Sequence, residues 1–238
     1  MTIARTAVFI GVGPGLGMSM AQRFGREGFR VALVSRTDTR HTSYLADLAA
    51  KDIEGTAYTA DIADTDRLSA VLKEIAESGE IEFVYYGSPG TSPQHIVPIT
   101  DIDVATAKSA FSPVWAAVHL VSTVLPAMME RSSGGVIFAG GMSSVRPVPM
   151  MGQLNMTAAA LRNYALTLNG ALADRGVYAG TLTIGRVVER GDIHTMISAH
   201  PEKFGNLETV DPDEIAEAAW DMYNSRDRAE HVFDASRH

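Results

Sequence analysis

The sequence predicts an α/β fold: a doubly wound, mainly parallel sheet flanked by helices, forming a single domain over residues 1–238. Three observations carry this expectation. Short apolar runs such as residues 7–12 (AVFIGV) read as strands buried on both faces. Segments with the apolar period of a helix separate these runs, which implies right-handed crossovers between parallel strands. No repeat, linker or low-complexity stretch interrupts the alternation, and 238 residues suit one such domain.

The elements follow in order. After the strand at 7–12, Leu16, Met20 and Phe24 recur every four residues and mark the first helix. Residues 29–34 (FRVALV) form the second strand, 41–51 a helix, and Gly55–Thr59 the third strand. Leu68, Val71, Leu72, Ile75 and Ala76 stripe the next helix, and 81–86 is the fourth strand. A long helix is expected over 103–130, kinked or ended by Pro113 and Pro126. Gly134 and Gly135 turn the chain into a fifth strand at 136–139. Leu161, Tyr164, Ala165, Leu168 and Leu172 form the core face of another helix, followed by a sixth strand, Val177–Ile184. Asp211 caps a last helix with Pro212 at its first position, and 231–234 adds a short seventh strand.

Composition narrows the function. A net charge of −8 argues against nucleic acid, whose phosphates demand clustered Lys and Arg. The chain has no cysteine, which rules out disulfides and thiolate zinc sites and fits a reducing cytoplasm. Its seven histidines form no ligand pair at helical spacing, so no metal is expected. The first residues run into a strand rather than a long apolar core, and the apolar runs fall short of a membrane span.

Gly11-Val-Gly-Pro-Gly-Leu-Gly17 joins the first strand to the first helix. Glycines there let the backbone approach a pyrophosphate, which meets the free N–H groups and the positive dipole end of the helix. The spacing is G-x3-G-x-G through Gly11, Gly15 and Gly17; counting G-x-G-x-x-G from Gly11 and Gly13 would place Leu16 third. This is a Rossmann-type dinucleotide turn. At the end of the second strand an acidic residue would bind the ribose hydroxyls of NAD. Ser35 stands there instead, followed by Arg36, a guanidinium for a 2′-phosphate. NADP(H) is therefore expected ahead of NAD(H), with a solvated surface arginine as the alternative. Asp61 and Ile62, after the third strand, are placed to meet the adenine, though Asp61 could equally cap the next helix.

With these features, and with Leu125-Pro126-Ala127-Met128, Gly134-Gly135-Val136-Ile137 and Asp174-Arg175-Gly176-Val177, the chain resembles the classical short-chain dehydrogenase/reductase family from residue 10 to about residue 185. The resemblance implies an NADP-dependent oxidoreductase acting on a carbonyl or hydroxyl, with cofactor contacts also at Gly87, Gly185 and Val187. It implies a tyrosine as proton donor, a lysine four residues later, a serine thirteen residues earlier and an asparagine in the long helix. Counted without gaps from Gly134 and from Gly176, those positions hold Leu154, Ala158, Gly141 and Pro113, or Ser112 for the asparagine if the register slips by one. The family's Asn-Asn-Ala-Gly after the fourth strand reads Tyr85-Tyr86-Gly87-Ser88, and its Pro-Gly after the sixth strand reads Ile184-Gly185.

Hydride transfer to a carbonyl leaves an alkoxide that needs a proton, so weak or absent turnover is expected. Ser143, Ser144 and Tyr86 are the weak substitutes, with Ser143 and Ser144 equally readable as turn residues. Met142, Met150, Met151 and Met156 with Leu154 imply an apolar ligand pocket, an oligomer contact, or a patch filling the emptied site. The partner is a small apolar or carbonyl-containing ligand, with a non-catalytic NADP-binding regulator or a non-redox binder as alternatives. The resemblance further implies a homodimer or homotetramer, paired through helices at about 103–130 and 156–175.

Overall fold

A computed structural model describes residues 4–87, 96–205 and 207–234. Seven strands form one sheet: β1 (Arg5–Ile10), β2 (Arg30–Ser35), β3 (Gly55–Thr59), β4 (Glu80–Gly87), β5 (Gly134–Gly141), β6 (Val177–Ile184) and β9 (Glu230–Phe233). Their order is β3-β2-β1-β4-β5-β6-β9, and every pairing is parallel. The strand order reverses between β1 and β4, which opens a crevice at their C-terminal ends where such sheets bind ligands. A separate parallel pair joins β7 (Val187–Val188) to β8 (Thr209–Val210).

The inner strands β1, β2, β4, β5 and β6 are mostly buried because helices cover both faces, whereas the edge strands β3 and β9 are partly exposed. Val8, Ile10, Val34, Val84, Tyr86 and Phe138 share a core with α3 (Thr65–Ser78), α5 (Ser112–Glu130) and α6 (Gly152–Leu172). The alternate residues Phe9, Leu33, Phe83 and Tyr85 face α1 (Leu16–Arg26), α2 (His41–Ala49) and α9 (Pro212–Ser225). On this second face Phe24 stacks on Phe83 with centroids 3.9 Å apart, and Trp220 meets Phe24 edge-on at 5.2 Å. The period of two in each strand thus sends Tyr85 and Tyr86 to opposite layers.

The single long helix expected over 103–130 is two helices, α4 (Val104–Ala110) and α5, separated at Phe111. Proline lacks an N–H and its ring clashes with the carbonyl four residues back, so Pro113 ends the first helix and sits comfortably in the first turn of the second. Pro126, by contrast, is accommodated inside α5. By length and composition 104–130 contains an 18-residue window that would also pass for a membrane span, at a mean hydropathy of 1.4. Its Val114, Ala117, Leu120, Val121, Val124 and Met128 are, however, buried in the core.

The Asp211 cap with Pro212 at the first position is present, the carboxylate accepting from the Asp213 N–H at 2.8 Å. α3 is capped by Asp64, not Asp61. The short α7 (Asp192–Ser198) and α8 (Pro201–Phe204), and the β7–β8 pair they accompany, had no counterpart among the expected elements.

Candidate dinucleotide cleft

Sterics account for the glycine spacing. A Cβ on Gly11, whose φ is +77°, would lie 2.2 Å from the Gly87 carbonyl oxygen at the end of β4. One on Gly15 would meet the Glu189 carbonyl at 2.8 Å, and one on Gly17 the Val12 Cα at 2.8 Å. Gly13 has nothing within 4 Å of its Cβ position. The three glycines of G-x3-G-x-G are therefore those the packing requires. In α1 the Met18 amide bonds to Gly13 and the Ser19 amide to Gly15, and the amides ahead of them have no intrahelical acceptor. This turn fits a pyrophosphate cradle.

The other residues expected to contact a cofactor, Ser35, Arg36, Asp61, Ile62, Gly87 and Gly185, stand at or just after the C-terminal ends of strands. The Gly11 and Val12 amides both bond to the Val34 carbonyl, which ties the turn to the end of β2. Ser35 Oγ donates to the Thr37 carbonyl at 2.9 Å and lies 2.7 Å from His41 Nε2. Arg36 is exposed, with no ion pair among the described residues. Asp61 is exposed and accepts from the Ala63 amide, while Ile62 is buried in the core beside Val34. Gly87 ends β4 beside Gly11; Ser88 lies outside the described residues. The Gly185 amide donates to the Phe233 carbonyl at 2.7 Å, and a Cβ there would fit tightly, 3.1 Å from that oxygen and 3.2 Å from Met142. Val187 pairs with Thr209 and lines a cavity of about 310 Å³ with His194, Ile197 and Leu207.

The positions expected from the sequence to handle protons carry no titratable side chain. Gly141 ends β5, Leu154 and Ala158 lie half-buried one turn apart on α6, and Pro113 opens α5. Of the substitutes, Ser143 comes nearest: its Oγ is 3.6 Å from where a Cβ on Gly141 would stand. Ser144 is committed elsewhere, donating to the Gly141 carbonyl at 2.9 Å.

Tyr86 must be corrected as a pocket-facing phenol. It is fully buried, its hydroxyl donates to the Pro113 carbonyl at 2.7 Å, and burial pushes its pKa up. Tyr85 is buried in the opposite layer and shifted the same way by burial. Tyr164 is core, edge-on to Phe138. The four lysines, Lys51, Lys73, Lys108 and Lys203, all belong to other parts of the chain.

Sequence reasoning missed the residues that shape the rim. Asn155 grips the Val148 backbone through both amide atoms, at 3.2 and 2.7 Å. The buried Gln153 accepts from the Val97 amide at 3.1 Å. Arg40 makes a bidentate pair with Asp192, each bond 2.8 Å long. Nothing local announces a contact across 152 residues. The methionines divide: Met142 and Met151 are partly buried, whereas Met150 is 63% exposed and continues into exposed Val145 and Val148.

This geometry belongs to a known class. The family model for short chain dehydrogenases matches residues 5–194, and the chain belongs to that family. It is 25% identical over 181 residues to an oxidoreductase of Sarocladium schorii, covering 75% of this chain and 70% of that one. The chain spans only 60% and 57% of the length of two other curated relatives. Among solved structures it is similar to a putative NAD(P)-dependent gluconate 5-dehydrogenase of Beutenbergia cavernae with bound NADP. That match has a TM-score of 0.81 at 20% identity and covers 98% and 95% of the two chains. It is also similar to an NADPH-bound short chain oxidoreductase of Pseudomonas aeruginosa with an atypical catalytic centre, with a TM-score of 0.81 at 17% identity over 99% and 97%.

Proposed function

We propose that this chain is an NADP(H)-binding short chain dehydrogenase in which the serine, tyrosine and lysine of the family's chemistry have been replaced, leaving weak or no carbonyl reduction. The observation that carries the reading is the contrast between two neighbouring sites. The glycine cradle keeps every glycine its packing requires, while Gly141, Leu154 and Ala158 supply neither a proton nor a cation. When bound, the dinucleotide supplies a hydride at its nicotinamide. This chain's residues hold it: Gly11, Gly15 and Gly17 admit the pyrophosphate, and Arg36 meets the 2′-phosphate. Ser143 Oγ offers one neutral hydrogen bond to a substrate oxygen, and at the replaced positions Gly141, Leu154 and Ala158 no side chain exchanges protons. Loss of a general acid alone lowers turnover by about 10² to 10⁴-fold.

The substrate side favours an apolar ligand, because Met150, Val145, Val148 and Met156 are exposed together around the emptied position. A homodimer through α5 and α6 is part of the reading. Trp115 is 61% exposed on α5, on a face continued by exposed Val118 and Met129. An NADPH against NADH fluorescence titration tests the cofactor assignment: NADPH should bind more tightly, with Arg36→Ala narrowing the gap. Equal affinities would remove NADP. A panel of aldehydes and ketones tests the rest, and reduction at ordinary family rates would remove the vacancy.

A further inference from the structure

The segment 189–192, which runs from the end of β7 into the first residue of α7, lies across the glycine turn and is fastened to both walls of the crevice. Its Glu189 carbonyl and Gly191 amide stand 2.8 and 2.9 Å from the Cβ position of Gly15. Arg190 takes a left-handed φ of +62°, pairs with Asp211 at 2.6 Å and Asp213 at 2.9 Å, and reaches Ser19 on α1 at 3.3 Å. Asp192 then receives both bonds of the Arg40 fork. Arg40 belongs to the β2 wall, because the next residue, His41, is buried and bonded to Ser35 at the end of that strand. The Arg40–Asp192 pair therefore bridges the loop after β2 and the loop after β7.

We propose that Arg40–Asp192 is a clasp over the cleft, opened by the 2′-phosphate of the dinucleotide. This rests on the NADP reading and deepens it, since that reading placed only Arg36 at the phosphate. A guanidinium fork binds carboxylate and phosphate with the same bidentate geometry, so the two compete for Arg40. A 2′-phosphate brings more charge than one carboxylate and gains Arg36 as a second donor, whose guanidinium has no ion pair among the described residues. Capture of Arg40 frees Asp192, and the phosphate then repels it. A ligand moves such an equilibrium only by its differential affinity for the two states. A nucleotide without the 2′-phosphate has no hold on Arg40 and leaves the clasp shut. Cofactor choice and release of the strap that leads into α7 thus become one event.

Hydrogen exchange over residues 187–200 of the whole chain, with 2′,5′-ADP or 5′-AMP as probes, tests this. Saturating 2′,5′-ADP should speed exchange in that segment, and saturating 5′-AMP, which lacks only the 2′-phosphate, should not. Asp192→Asn should speed it without ligand and raise the NADPH:NADH affinity ratio about three- to fivefold, the scale of one exposed ion pair. Adding Arg40→Ala should abolish that gain. If 2′,5′-ADP binds and the exchange is unchanged, or both nucleotides change it alike, the clasp proposal alone is overturned. If neither nucleotide binds, the NADP reading fails and takes the clasp with it.

Discussion

At Gly141 the backbone still has the space its missing side chain would need. Nothing lies closer than 3.6 Å to a Cβ there, so Gly141→Ser should fold with little loss of stability. The triple variant Gly141→Ser, Leu154→Tyr, Ala158→Lys should then gain NADPH-dependent reductase activity over the parent, read as nicotinamide oxidation with an aldehyde. Gly11 is the opposite case. Gly11→Ala adds a Cβ 2.2 Å from the Gly87 oxygen at a φ of +77°, and should abolish NADPH binding or lower Tm sharply in a melting scan. The spacing of Gly11, Gly15 and Gly17 was legible because one local turn needs all three. The fate of Tyr86 was not, because alternation along β4 and the Pro113 carbonyl on another element decide it.

Among the elements, β1, β2, β4, β5 and β6 were legible from apolar runs, since burial on both faces leaves a clear composition, while the half-exposed edge strand β3 carries no such run. The β7–β8 pair was not, because two-residue strands carry no period. Nor was the tie that holds β9 to the sheet layer, where Glu230 accepts from Arg162 on α6 and from Thr183 on β6. The Arg162 hydrogen bond holds the Glu230 carboxyl below its usual range. A lowered carboxyl pKa stabilises the fold above the unfolded value, and that contribution disappears as pH falls through the folded one. Glu230→Gln should therefore cost about 1 kcal/mol at neutral pH, the scale of a partly exposed pair. The cost should vanish on acidification below the ordinary glutamate range, as followed by denaturant melts at several pH values.

Across the whole molecule, the sheet order brings together residues remote in sequence, and this is where sequence reading runs out. Gly11 meets Gly87, and Arg40 meets Asp192, only because the crevice opens at the strand-order reversal between β1 and β4. The proposed pairing places the exposed apolar face of α5 against a second copy of the chain. Light scattering should give a mass of at least twice 25.5 kDa, and Trp115→Glu should shift it toward the monomer. A monomeric parent would contradict this pairing. One measurement tests both the dinucleotide site and the loss of its proton chemistry. NADPH is titrated into the protein by nicotinamide fluorescence, with a mixture of aldehydes and ketones present throughout. Binding should saturate, and the signal should then hold steady. Absence of binding, or decay of the signal at the rate of an ordinary reductase, would contradict the proposed function.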